Sequence, residues 1–317
     1  MTTTELQNVE IPRDRFGRPM ILQPNGKRLP YRRTTTFVGC LEDTYNLMSW
    51  KNRKVAYGMG QRKDLVLAAA AADPEDKRRL GEIADQAIEH AQASAAATTG
   101  TALHSLTERI DRGQELGYIP AEYEADIDAY RRATEHLEWV GIETFRVHDE
   151  WQVAGTADRL ARLPWSDRLT ICDIKTGSIA YPHKMAMQLA MYARMVPYNI
   201  ATDTRDADPA EINLNYGIII HLPAGEGICN LYEIDIMKGW GACLVAKKVW
   251  SWRSTKDLTR PLAEPKPLAT WESLIRGADT LERLREIWQR ANESGQLTAE
   301  LKVLATARSA EIGTRTA

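Results

Sequence analysis

The stretch ICDIKTGSIAYPHKMAMQLAMYA, residues 171–193, places an acid and a lysine, Asp173 and Lys175, two residues apart in a short apolar run. The run breaks at Thr176-Gly177, and a helix-like segment carrying Gln188 and Tyr192 follows. Side chains alternate across a strand, so Asp173 and Lys175 share one face. Cys172 and Ile174 take the other, where they can pack into a core. A buried ion pair rarely offsets the hydration it loses. From this strand alone, a structural ion pair and a metal-plus-base pair at a strand end are equal readings.

Working outward, Asp158 lies in GTADRL, on the strand immediately before. Adjacent antiparallel strands can bring Asp158 and Asp173 together, and two close carboxylates repel unless one is protonated or a cation sits between them. A hard divalent ion, Mg²⁺ or Mn²⁺, suits oxygen ligands of this kind. Glu150, eight residues earlier, is a candidate for the same strand end. His104, in GTALHSLTE, sits four residues before Glu108 on one helical face. A lone helical histidine more often packs or caps. HxxxE is not the HExxH of a zinc hydrolase, and no second histidine is placed to complete one. Glu108 reads as a supporting or surface acid.

Taken in order, GTALHSLTE, EWQVAGTADRL, ICDIKTG and QLAMY resemble the PD-(D/E)XK nuclease superfamily, in the branch of RecB-type domains, Cas4-like proteins and phage recombination exonucleases. The lead-in YRRTTTFVGCLEDTYNLMSWKNRKVAYG is similar to that of actinobacteriophage Cas4-family exonucleases. The resemblance covers residues 98–235. It implies metal-binding roles for Asp158, Asp173, His104 and the Ile174 carbonyl, and a water-orienting or charge-stabilising role for Lys175. Gln188 and Tyr192 match a QxxxY element that supports the site and contacts DNA, and Glu150 matches an acid often found on the preceding strand. A metal-dependent deoxyribonuclease, an exonuclease of phage recombination, replication or repair, is the implied activity. The rivals are a non-catalytic DNA-binding or assembly protein on the same fold, working with a single-strand annealing protein, and a Cas4-like endonuclease or processing factor. The resemblance leaves an oligomer open. Some relatives hold an iron–sulfur cluster on one early and three late cysteines. Here Cys40 precedes the core but only Cys229 and Cys243 follow it, with Cys172 inside, so such a cluster is not expected.

The rest of the chain fits this frame. Residues 1–35 read as a polar arm, and helices are expected over 36–61, 74–97, 101–113 and 120–141. Strand-like segments follow, with an inserted helix at 182–196 and a strand pair ending near Ile236. Helices then return over about 237–254, 271–293 and 297–312. The expected fold is α/β, a restriction-endonuclease-like core with a central mixed sheet flanked by helices and with helical terminal extensions. The expected divisions are 1–97, 98–260 and 261–317.

The net charge of −2 over 317 residues excludes a general polyanion binder, so any DNA surface must be local. Residues 27–63 hold nine Lys/Arg against two acids. Arg32, Arg33, Lys51, Arg53 and Lys54 are its candidate DNA-binding residues, interleaved with Tyr31, Trp50 and Tyr57. A second segment, 236–260, has six Lys/Arg, one acid and three tryptophans. No GxGxxG or GxxxxGK[ST] supports nucleotide binding. No apolar run reaches the roughly 18 residues of a membrane span, and the polar start lacks a secretory signal's apolar stretch, so a cytoplasmic protein is expected.

Overall fold

The computed structural model describes residues 10–91, 95–261 and 269–315. They divide into two compact units meeting at Thr255/Lys256. The first runs in the order β1 (Met20–Leu22), β2 (Arg28–Pro30), β3 (Arg32–Arg33), α1 (Thr34–Val38), α2 (Tyr45–Gln61), α3 (Lys63–Ala71), α4 (Lys77–His90), α5 (Ala95–Asp111) and α6 (Ala121–Thr134). Then come β4 (Glu138–His148), β5 (Val153–Arg162), β6 (Leu169–Lys175), α7 (His183–Tyr192), β7 (Val196–Asn199), β8 (Thr204–Arg205), β9 (Tyr216–His221), β10 (Asn230–Asp235) and α8 (Ile236–Arg253). The second unit holds α9 (Trp271–Gly277), α10 (Leu281–Glu293) and α11 (Ala299–Arg315).

The main sheet has the order β10-β9-β6-β5-β4-β7-β8, with β3 pairing in parallel beside the start of β5. β6 is its centre. It runs antiparallel to β5 and parallel to β9, which makes the sheet mixed. Every residue of LTICDIK except Lys175 is buried, as expected of a strand covered on both faces. On one face Leu169 and Ile171 pack with Leu189 and Met191 of α7, Cys243 and Ala246 of α8, and Phe37 and Val38 of α1. On the other, Cys172 and Ile174 pack with Tyr130 of α6, Ile218 and Ile220. The alternation read from the sequence therefore holds, and Asp173 sits on the α7 side. The four cysteines divide between the faces, Cys40 and Cys243 on one, Cys172 and Cys229 on the other.

α7 and α8 cross at glycine. A Cβ on Gly239 would stand 2.3 Å from the Ala186 carbonyl oxygen, so only glycine allows this approach. Gly239→Ala should cost about 1–3 kcal/mol, the scale of overpacking a core. Urea unfolding checks it through a lower midpoint at unchanged slope.

Several boundaries differ from the sequence reading. The helix expected over 36–61 is broken at residues 42–44. There Glu42 is extended, and the Asp43 carboxylate accepts the Tyr45 amide to start a new turn. The helix expected from Pro74 begins instead at Lys77, where Asp76 caps it by accepting the Arg79 amide. It ends at His90, and the remainder of that expected helix includes 92–94, outside the described residues. Thr99-Gly100 is not a break, because α5 runs through it. EWVG belongs to β4 rather than to the preceding helix, with a register shift between Trp139 and Gly141. α7 stops at Tyr192, and the chain re-enters the sheet as β7. The strand–helix unit 32–38, assigned by sequence to the terminal extension, is part of the main core.

In the second unit, Ile275, Leu284, Ile287, Ala305 and Ile312 form a core of their own. The helix expected over 271–293 is two helices. Thr270 and Thr280 cap them by accepting the Ser273 and Arg283 amides. Most of the proline-containing linker, 262–268, lies outside the described residues. Among the described residues no helix is long and apolar enough to cross a membrane.

Candidate active site

The pairing of β5 with β6, in register from Arg159↔Cys172 outward, brings Asp158 next to the end of β6. Asp158 Oδ2 accepts the Ile174 amide at 2.9 Å and lies 3.6 Å from His104 Nδ1. Asp173 is buried. Its Oδ1 accepts Gln188 Nε2 at 3.1 Å, and its Oδ2 touches the Lys175 ammonium without a well-aligned hydrogen bond. Burial first, and the Asp158 charge second, push the Asp173 carboxyl up to about 7 against the pull of Lys175. The Ile174 carbonyl accepts Lys175 Nζ at 3.4 Å and also faces His104. Burial pushes the His104 imidazole down, which outweighs Asp158 and leaves a neutral ring with a free lone pair at neutral pH.

Two local features deliver these groups. A Cβ on Gly100 would stand 2.7 Å from Thr176 Oγ1, so the glycine of GTALH lets α5 lie against the end of β6 and present His104. On α7, Gln188 and Tyr192 are one turn apart on the face turned to the site. Tyr192 is buried. Burial and the charges of Asp173 and Asp158 push its phenol up, so it stays protonated beside Gln188 and Thr34. Asp158, Asp173, Lys175, His104, Ile174, Gln188 and Tyr192 thus converge.

Glu150 does not join them. It stands in the β4–β5 turn, exposed, with its carboxylate 2.7 Å from Lys247 Nζ. Asp158 lies five residues beyond Val153 along β5, about 16 Å at the rise of a strand. The acid that does reach the site is Glu143. It lies between the pairs Ile142↔Arg159 and Thr144↔Ala157, and so across from Asp158. Burial, then the Asp158 charge, pushes its carboxyl up to about 7. Its φ of 50° is a left-handed conformation rare for a side-chain-bearing residue in a strand. The turn at 149–152 held the signal, because counting outward from it across an antiparallel hairpin reaches residue 143 opposite Asp158.

Arg159, also unforeseen, ties the parts together. Fully buried, it donates to Asp111 at 2.5 Å, to Glu143 at 3.1 Å, to the Asp158 carbonyl at 2.8 Å and to Thr107 Oγ1 at 3.4 Å. Tyr130 donates to the same Asp111 oxygen at 2.6 Å. One guanidinium therefore links α5, β4 and β5, the three elements that supply His104, Glu143 and Asp158.

The donor set fits a hard divalent ion. It offers two close carboxylates, a backbone carbonyl and a neutral imidazole, with no thiolate, and one buried Asp173 oxygen lacks an aligned donor. Among the described residues no three His, Cys, Asp or Glu side chains stand at ligating distance as they are. The Lys175 ammonium is the cation now against Asp173.

The basic candidates separate. Arg32 lies flat over Trp250, 3.8 Å from the ring centroid, and packs rather than facing solvent. Arg33, Lys51 and Arg53 are exposed, and Lys54 is half-buried. In the 236–260 segment, Trp240 stacks on Trp151 at 4.6 Å and Trp250 donates to the Phe37 carbonyl, so both are structural, while Trp252 is exposed.

Residues 55–206 match the family model of the PD-(D/E)XK nuclease superfamily. The match takes in His104, Glu143, Asp158, Asp173, Lys175, Gln188 and Tyr192, and the mixed sheet flanked by helices is consistent with that fold. Nucleases of this superfamily hydrolyse phosphodiester bonds. No curated protein matches the chain.

Proposed function

We propose that the protein is a metal-dependent deoxyribonuclease, an exonuclease that degrades linear DNA in recombination, replication or repair. The observation that carries the reading is the convergence of Asp158, Asp173 and Lys175 beside His104. Asp158, Asp173, the Ile174 carbonyl and His104 would hold Mg²⁺ or Mn²⁺. When bound, such an ion lowers the pKa of a water and neutralises charge on the phosphate. Gln188 fixes the Asp173 carboxylate through Oδ1 and leaves Oδ2 for the cation side. Lys175, partly exposed at the strand end, is placed to orient the attacking water and to stabilise charge on the cut phosphate. Glu143 places a further carboxyl opposite Asp158, at the edge of the site.

α2 supplies a track for the strand. Trp50, Arg53, Lys54 and Tyr57 fall at i, i+3, i+4 and i+7, one face of the helix, with Tyr57 61% exposed and Trp50 36%. Cations on such a face attract phosphates, and aromatic rings stack on unpaired bases.

The test is degradation of linear DNA with Mg²⁺ or Mn²⁺, beside a circular substrate that only an endonuclease cuts. Lys175→Gln should lower kcat by at least about 10²-fold, the scale of losing one group that stabilises developing charge. DNA binding should survive. Metal-independent cleavage, or full turnover in that variant, sinks the reading.

A further inference from the structure

We propose that a small cleft beside the carboxylate centre is a phosphate subsite, seating the DNA phosphate next to the one that is cut. This rests on the nuclease reading but concerns residues that reading does not use together. Arg13, Arg33, Thr34, Thr35, Thr156 and Tyr192 line the cleft, with Gly155 among them. Its volume is about 150 Å³, room for a phosphoryl group and not for a nucleoside. No acid is among the residues that line it; beside the apolar Pro19, Phe145 and Ala154, the two guanidiniums and the hydroxyls of Thr35 and Thr156 give it the chemistry of an oxyanion site.

Three observations make it a built site. Arg33 is exposed and in no ion pair among the described residues, and Arg13 uses one nitrogen on the Gly17 carbonyl at 2.9 Å. Both keep donors for a ligand. Gly155 holds the space open, because a Cβ there would stand 2.7 Å from Thr34 Oγ1 and 3.1 Å from Tyr192 Cε1. Position is the third. Thr156 and Asp158 are two residues apart on β5, about 6–7 Å along the strand, the scale of one nucleotide step. Tyr192 is shared, since it walls the cleft and feels the charges of Asp173 and Asp158.

The experiment measures binding of a fluorescein-labelled single-stranded oligonucleotide to the full chain in EDTA across a salt series. Each phosphate contact contributes about 0.7 to the slope of log K against log salt for a single strand. Arg33→Gln should weaken binding and flatten the slope by about 0.7, and Arg33→Lys should restore it. In cleavage with metal, a neutral methylphosphonate at the linkage next to the cut should slow the wild type about tenfold and add nothing in Arg33→Gln, as for two changes in one contact. An unchanged slope in Arg33→Gln, or a methylphosphonate penalty that persists in it, overturns the subsite. Because the slope is read without metal, the subsite and the nuclease reading fail separately. Cleavage with an unchanged slope removes only the subsite, and a flattened slope without cleavage removes only the nuclease.

Discussion

Asp173→Asn is expected to abolish DNA cleavage, by about 10³-fold or more, and to make the metal-free protein more stable at pH 8. Both effects come from one buried carboxyl, which burial and the Asp158 charge push up to about 7 from its ordinary 3.8. The sign follows from proton counting. Between those two values the unfolded chain has lost this proton while the folded one keeps it. Stability therefore falls as pH rises through the window, by up to about 1.4 kcal/mol per unit. Above pH 7 the folded protein bears the full cost, on the order of a few kcal/mol. Asparagine keeps the Gln188 contact region filled without a charge, so its advantage should be absent below pH 4 and complete above pH 7. For a unit of this size a few kcal/mol is about 5–10 °C in Tm. Melting curves of both proteins from pH 4 to 8.5 in EDTA check it. Adding Mn²⁺ should raise the wild-type Tm and leave the variant nearly unmoved, because an ion that binds only the native site stabilises by mass action. A variant that melts lower than wild type at pH 8 would mean that the Lys175 contact outweighs burial.

How far the sequence leads is visible at particular residues. β6 was legible because a strand buried on both faces is a continuous apolar run, and Asp173 and Lys175 stand out against it. Asp158 was legible because short turns force antiparallel neighbours. Residue type alone misled at Glu150, since an acid in a turn answers to Lys247 rather than to the strand end. Register would have chosen Glu143. Nothing in GTADRL singles out Arg159, and only the packing of α5 and α6 over the sheet makes it a buried hub. Helix limits failed where tertiary contacts decide. α5 passes through Gly100 because that glycine packs on Thr176, and EWVG joins β4 because β5 offers a partner. The pairing of β3 with β5 joins residues over a hundred apart, a contact no local pattern announces.

Arg159→Met should be the most destabilising single change in the first unit, at about 3–5 kcal/mol. The side chain is fully buried, and so, at 2% exposure, is the Asp111 carboxylate against it. Burial already pushes the Asp111 carboxyl above its usual range, with Tyr130 and Arg159 pulling against it. Without the guanidinium, Asp111 must take up a proton or remain an unpaired charge. The Asp158 carbonyl and Glu143 lose their donor as well. Lysine cannot substitute, because one ammonium does not span Asp111, Glu143 and a carbonyl as the planar fork does. Urea unfolding should show the loss as a lower midpoint. Adding Asp111→Asn to Arg159→Met should recover part of it, as groups in one network are not additive. The functional readout separates positioning from simple loss of fold. At a temperature where both proteins are folded, Arg159→Met should still cleave more slowly, since α5 is no longer tied to β5 and His104 loses its place beside Asp158. A variant that unfolds early yet cuts at the wild-type rate when folded would show the hub to be structural only.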